Sequence, residues 1–478
     1  MNPVDLAFAS ALKQSELIRR KEVSPLELVE LYLERIQQFN PKLGSYFTVT
    51  AEQAIDDAKT KTEMLAQTEE LPLFFGIPIS IKDLNPVSGI PCCYGNAALI
   101  GNVPDYDDGV VTKIKQAGFI ILGKTATSEL GSFPYTEATG FPPTRNPWNL
   151  EYTSGGSSGG AASALAAGLC SIAQGSDGGG SVRGPAACCG LVGIKPSRGR
   201  ITHAPVGDRL NGIAINGPIA RTVADAAALL DAMSGYVSGD SYWLPEPEKS
   251  FLSYSQEKVD NLRIAFCTSI PTLGEADTNC HQGVIKTVKL LEELGHTVEE
   301  KCPDISDLVE PFQIVWQGNV AASGVPAEIL QPLNRWLLSR NGSAGEYLRA
   351  VYQMQMVARK IVMFFDTIDV LVMPVYLHSP IRIGEWSALS PEETFENIIR
   401  WIAPCPAANA TGQPAISLPV GFDEKGLPIA VQLIGKPTAE NTIIRLAAQL
   451  EAANPMYDKI PSGYQGIGNR EQGTGNRE

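Results

Sequence analysis

The stretch TSGGSSGGAASALAAGLCSIAQGSDGGGSVRGP, residues 153–185, decides how this chain is read. Two Gly/Ser turns, GGSSGG at 155–160 and GSDGGGS at 175–181, flank an Ala-rich run compatible with a helix. A phosphate-binding loop requires Lys and then Ser or Thr directly after its last glycine, whereas Ala161 stands there. A dinucleotide fingerprint requires GxGxxG entering a helix after a strand, and these glycines do not have that spacing. A flexible linker accounts for the Gly/Ser content but rarely encloses a compact apolar helix.

The chemistry that needs such a segment is one in which backbone approaches a ligand closely. Three consecutive glycines, Gly178, Gly179 and Gly180, remove Cβ atoms and allow several N–H groups to point at one spot, as an oxyanion hole requires. Ser181 follows directly, so one turn would supply a nucleophile and its oxyanion donors. Its base is less obvious. The four histidines, at 203, 281, 296 and 378, all lie outside the segment, and no G-x-S-x-G elbow surrounds Ser181. A Ser-His-Asp triad assembles in space, so the residues alone leave it open. The other candidate is Lys82, at the end of the apolar run PISIK, where burial would favour the neutral amine. A lysine at a strand end is, by itself, more often a snorkelling surface residue.

Outward from this segment the pattern alternates. Residues 76–82 (GIPISIK) read as a buried strand, and 110–118 as a helix feeding a strand at 119–125. Helices are expected at 221–234, 279–294 and 439–452, and strands at 262–267, 369–375, 414–420 and 427–434. Such alternation predicts an α/β protein, one sheet covered by helices. The first forty residues predict two helices. Ser24, Pro25 and Glu27 form a capping-box start for the second, and Asn40-Pro41 is its expected end. Residues from about 303 to 400 are richer in helix-period apolar and aromatic residues, which predicts a helical insertion over the sheet. QGIGNRE (465–471) and QGTGNRE (472–478) are a tandem heptapeptide without an apolar face. The expected organisation is therefore a single domain over 1–460 and a disordered tail over 461–478.

Composition narrows the function classes. The chain has 478 residues, 38 Lys+Arg against 52 Asp+Glu, and a net charge of −14, which disfavours nucleic acid and anionic membranes as partners. With 44% hydrophobic and 19% charged residues it reads as an ordinary globular protein. Nine cysteines include no CxxC pair, so neither a disulfide framework nor a zinc site is expected. No secretory signal opens the chain, and the uncharged stretches 84–104 and 154–176 are broken by Gly, Pro or Ser. A cytoplasmic enzyme with reduced thiols is the expectation.

These residues resemble the amidase signature family, in its stand-alone amidase branch. The likeness rests on GGSSGG at 155–160, GSDGGGSVRGPAACCGLVGIKPSRGR at 175–200 and PISIKDL at 78–84. It extends to GPIARTVADAAALLD at 217–231, TGQPAISLPVGF from 411 and GLPIAVQLIG at 426–435, and is weak over 240–400. The resemblance implies a single fold with a central mixed sheet covered by helices on both sides. It also implies a Ser–cis-Ser–Lys triad, with Ser181 as nucleophile, Ser157 as bridging serine and Lys82 as base. Oxyanion donors carry over to the amides of Gly178, Gly179, Gly180 and Ser181, while Ser158, Asp177 and Arg183 would support the loop. Gly178 departs from the Thr or Ile common at that place.

The implied activity is hydrolysis of a carboxylic amide through an acyl-enzyme, linear amides foremost. The implied partner is a small-molecule amide. No metal or organic cofactor is implied, and a homodimer would suit the family. An alternative is the glutaminase subunit of a tRNA-dependent amidotransferase, which carries an acid shortly before its N-x-x-G-x-P stretch. Here that stretch is NATGQP (409–414), and RWIAPCPAA (400–408) before it holds no acid. A second alternative is an inactive amidase-like docking domain, yet Ser181, Ser157 and Lys82 are all kept. The stretch GDSYWLP (239–245) and the AACCGLVG run are similar to hydrolases of 6-aminohexanoate cyclic dimer, which leans the substrate toward apolar linear, cyclic or aryl amides. Loops within 133–148 and 310–400 are the expected pocket walls. Trp148, Trp316, Trp336, Trp386 and Trp401 are candidates to line them, each individually more often a core residue.

Overall fold

The computed structural model describes residues 1–67, 70–208 and 210–466; most of the heptapeptide repeat, from 467 on, lies outside the described residues. In chain order the strands are β1 (Tyr46–Val49), β2 (Pro78–Lys82), β3 (Ile120–Thr125), β4 (Arg145–Asn146), β5 (Asn149–Thr153), β6 (Ile172–Asp177), β7 (Val192–Lys195) and β8 (Ile215–Ala220). They continue as β9 (Arg263–Phe266), β10 (Ser269–Ile270), β11 (Gly274–Glu275), β12 (Thr297–Glu300), β13 (Val370–Pro374), β14 (Ala415–Phe422) and β15 (Pro428–Gly435). Eleven of them form one mixed sheet in the order β1-β3-β2-β6-β8-β7-β14-β15-β13-β9-β12, and β4-β5 and β10-β11 are small ribbons. Helices flank the sheet, and its central strands read as continuous buried runs: all five residues of β2 and all five of β13 are buried. Strands covered on both faces have that unbroken apolar character.

The centre of the sheet positions the site. β2 pairs in parallel with both β3 and β6, so the carboxyl ends of β2 and β6 emerge together. Those ends carry Lys82 and Asp177. Helix Gly159–Ala166 leads from the first Gly/Ser turn into β6, and the second turn leads from β6 into helix Arg183–Cys189. Crevices at the carboxyl ends of parallel strands are where α/β sheets bind ligands.

Three expectations change. The N-terminal forty residues form three helices, because Asn2 and Ser10 cap Pro3–Phe8 and Ala11–Arg19 separately before the Ser24 capping box opens Pro25–Leu43. That third helix passes through Asn40-Pro41 and ends at Gly44, whose φ of +61° makes the left-handed cap. The segment 303–400 is not helical throughout: helices Val309–Ala322, Pro332–Ser339, Ala344–Phe364 and Pro391–Ile402 are interrupted by the strand expected at 369–375, which joins the central sheet as β13. Tyr464, assigned by sequence to the tail, is docked instead. Its ring packs edge-on against Phe39, and its carbonyl accepts from the buried Arg35 guanidinium at 2.9 Å. No helix among the described residues is long and apolar enough to cross a membrane.

At Gly160, helix Gly159–Ala166 is seated against backbone. Gly160 N–H donates to Ala126 O at 3.0 Å, and a Cβ at 160 would lie 2.3 Å from Ala126 N and 2.5 Å from Ser45 O. Backbone cannot yield as a side-chain tip does. Gly160→Ala is expected to destabilise the fold by about 1–3 kcal/mol or more, read as a lowered Tm. A wild-type Tm for that variant would contradict this packing.

Candidate active site

Lys82 ends β2 with no exposed surface, and its Nζ has three oxygen neighbours. Ser157 Oγ lies at 2.7 Å, Ser176 Oγ at 3.0 Å and the Ser176 carbonyl at 3.3 Å. Burial drives its pKa down to about 7, against a smaller upward pull from the Asp177 charge. A neutral amine has two N–H donors and one lone pair. Ser176 offers acceptors for the two donors, which leaves the lone pair for the Ser157 hydroxyl. The main chain is pinned as well, since Lys82 N–H donates to Gln174 Oε1 at 3.0 Å. Directly after it, Asp83 is buried in an ion pair with Lys124 at 3.2 Å.

Ser157 is 1% exposed and follows a cis Gly156–Ser157 peptide. Gly156 is pressed against the loop after β3: a Cβ there would sit 2.5 Å from Tyr135 N and 2.6 Å from Phe133 O. Ser158, fully buried, donates its N–H to Ser181 O at 3.2 Å and its hydroxyl to Ser176 O at 3.3 Å. The two serines thus tie the first turn to the second. Ser181 itself is 9% exposed and lines an open cleft, together with Gly156, Gly179 and Gly180. Lys82, Ser157 and Ser181 are accordingly brought to one place, with Lys82 deepest and Ser181 at the cleft.

The second turn is held by one buried ion pair. Arg183 Nε and Nη2 donate to Asp177 Oδ2 and Oδ1 at 3.0 and 2.9 Å. Its remaining donors reach Asn409 Oδ1 at 2.6 Å, Cys405 O at 3.0 Å and Gln432 Oε1 at 2.9 Å. All five guanidinium N–H groups are therefore used. Asp177 also accepts from Asn409 Nδ2 at 2.9 Å and from the amides of Gly180, Val182 and Arg183 at 2.7, 3.2 and 3.3 Å. Burial would raise this carboxyl, but the Arg183 charge and these hydrogen bonds outweigh it and hold it well below the usual carboxylate range. Asp177 and Arg183 thus tie the second turn to the segments that carry Asn409 and Gln432.

One sequence expectation needs correction here. Gly180 N–H, an oxyanion donor by resemblance, is committed to Asp177 at 2.7 Å, since a buried carboxylate gathers the amides within its reach. Gly179 and Ser181 line the cleft; Gly178 does not, and faces the Trp316 ring instead. A Cβ at 178 would lie 3.1 Å from that indole, so the glycine found where Thr or Ile is common makes room for Trp316. The supporting residues that sequence reading missed are Ser176, Asn409, Gln432 and Tyr376. Tyr376 lies so close over Gly184 that a Cβ there would come within 1.7 Å of its hydroxyl.

The cleft encloses about 790 Å³ open to solvent. One wall is Gly131–Pro134; the others bring Ile305, Leu308, Phe312, Trp316, Phe395 and Ile402. Among the described residues, none that lines it carries a charge. Of the five tryptophans considered, Trp316 is the one among these lining residues; Trp401 is fully buried beneath Tyr376 and His378.

The profile of the Amidase family matches residues 27–444. A Synechocystis sp. (strain ATCC 27184 / PCC 6803 / Kazusa) protein named "Putative amidase" is 53% identical over 450 residues, covering 94% of this chain and 89% of its own length. The structure of a 6-aminohexanoate cyclic dimer hydrolase complexed with substrate superposes with a TM-score of 0.89 at 30% identity, covering 95% of this chain and 99% of that one. A bacterial aryl acylamidase superposes with a TM-score of 0.87 at 26% identity, covering 96% and 99%. The match spans nearly the whole chain and includes both Gly/Ser turns and the lysine strand, and the chain belongs to the amidase signature family.

Proposed function

We propose that this chain hydrolyses uncharged carboxylic amides with an apolar acyl or aryl part, through an acyl-enzyme on Ser181. The observation that carries the reading is the buried contact of Lys82 Nζ with Ser157 Oγ at 2.7 Å, at the foot of a cleft lined by Ser181. Lys82 accepts the Ser157 proton as Ser157 accepts that of Ser181, and Ser181 Oγ attacks the amide carbon. The tetrahedral oxyanion is held by backbone N–H groups of Gly179 and Ser181, with Gly178 beside them. As the C–N bond breaks, the proton returns through Ser157 to the leaving nitrogen. The amine or ammonia departs, and water then hydrolyses the acyl ester, releasing carboxylate and restoring Ser181.

The cleft supports the substrate class. Its walls are apolar, and Trp316 and Phe312 stack with their ring centroids 5.9 Å apart beside the glycine turn. Two structural neighbours act on a 6-aminohexanoate cyclic dimer and on aryl acylamides, as their names state, and such substrates suit walls of this kind. Glutamine would bring an ammonium and a carboxylate to a lining in which no described residue carries a charge, which disfavours the amidotransferase reading.

Ser181→Ala should lower kcat by about a thousandfold or more with an unchanged Tm, measured on an aryl amide. Retained turnover would overturn the nucleophile assignment. Because Lys82 is needed neutral and its pKa is about 7, kcat/KM should fall by about tenfold per unit as pH drops below that value and level off above it. A profile without that acid limb would contradict Lys82 as the base. Trp316→Ala should raise KM for aryl amides by about tenfold, the worth of one buried ring face, with little change for acetamide. Equal effects on both substrates would remove Trp316 from the substrate wall.

A further inference from the structure

Far along the sheet from Lys82, two cysteines leave neighbouring strands side by side. β9 and β12 pair in parallel with Phe266 opposite Glu300, and Lys301 N–H donates to Phe266 O at 3.0 Å. Cys267 stands one residue beyond β9 and Cys302 two beyond β12. Cys267 is 4% exposed within an apolar cluster, and Cys302 packs against that cluster from its half-buried rim. Cys302 Sγ donates to Ser269 O at 3.6 Å, two residues beyond Cys267. Of the nine cysteines only Cys280 and Cys302 are half-buried, and Cys302 is the one with a second thiol at the end of the neighbouring strand.

We propose that Cys267 and Cys302 are a peroxide-sensitive dithiol whose disulfide resets the wall of the cleft. Cys302 is the half-buried member of the pair and the neighbouring Cys267 thiol lowers it below its ordinary value, which favours it as the first nucleophile. Cys302 sulfur attacks hydrogen peroxide: an S–O bond forms, the O–O bond breaks, and the departing hydroxide takes a proton as water. Cys267 sulfur then displaces the sulfenic oxygen: the S–S bond forms, the S–O bond breaks, and a second water leaves with the Cys267 proton. Two thiols and one peroxide give one disulfide and two waters.

The route to the cleft is short. From Cys302 the chain runs through buried Pro303 to Ile305 and Leu308, which line the cleft, and then into helix Val309–Ala322 with Phe312 and Trp316. Ile305 also borders a small internal cavity beside Cys302, with Ile361 and Phe365. A disulfide draws the two sulfurs together to about 2.05 Å, and that movement passes to this wall. The linkage stands on its own; its effect on substrate rests on the cleft reading above.

The test treats the full-length protein with hydrogen peroxide under native conditions and maps peptides without reduction. Expected is a loss of two hydrogens (~2 Da), one linked peptide pair joining Cys267 to Cys302, and reversal by dithiothreitol. Cys302→Ser should abolish the link. Oxidised wild type should also show KM for an aryl amide altered by about threefold or more, with no such change in Cys302→Ser. Cys302 ending as sulfinic acid without a link to Cys267 would overturn the dithiol. A complete link with unaltered KM would overturn its coupling to the cleft. The mapping needs no turnover, so an error in the substrate reading leaves it interpretable.

Discussion

The buried pair of Asp177 and Arg183 is the interaction on which the rest of the site depends. Removing two such charges from water costs several kcal/mol each, and their attraction offsets this only when geometry and hydrogen bonding are complete. Here they are: all five guanidinium donors are used, and the carboxylate collects three amides of its own turn. The pair therefore shapes the backbone between β6 and the next helix, presenting Gly179 and Ser181 to the cleft. It also reaches across the sheet, because Asn409 and Gln432 come from segments that lie 226 and 249 residues further along the chain.

Against that fixed turn, Lys82 is tuned by exclusion from water. Its nearest carboxylates are already committed, Asp83 to Lys124 and Asp177 to Arg183, so no anion contacts the amine directly. Burial then dominates and brings the neutral form into the physiological range. Ser176 supplies acceptors to orient the amine without charging it. A base of this kind needs no histidine, which fits a chain whose four histidines all lie away from the two turns.

What was legible in the sequence is what backbone geometry demands locally. The two Gly/Ser turns, the lysine at the end of PISIK and the strand–helix alternation are each written in a few adjacent residues. The roles that depend on distant strands were not. Ser176 sits inside the quoted segment, yet its contact with Lys82 exists only because β6 lies beside β2. Gly180 looked equivalent to its neighbours until the Asp177 carboxylate claimed its amide. Trp316 and Trp401 are indistinguishable by composition, and only packing puts one in the cleft and the other in the core. Tyr464 follows a proline- and glycine-containing stretch that reads as tail, but the space beside Phe39 accepts its ring.

The central claim is that Ser181 is an activated nucleophile reached from the cleft. Exposure of the intact protein to a fluorophosphonate, followed by peptide mapping, tests it most directly. The account predicts one adduct per chain, on Ser181, formed more slowly as pH falls below about 7, where Lys82 becomes protonated. An adduct on any other residue, or labelling of Ser181 that ignores pH, would contradict it.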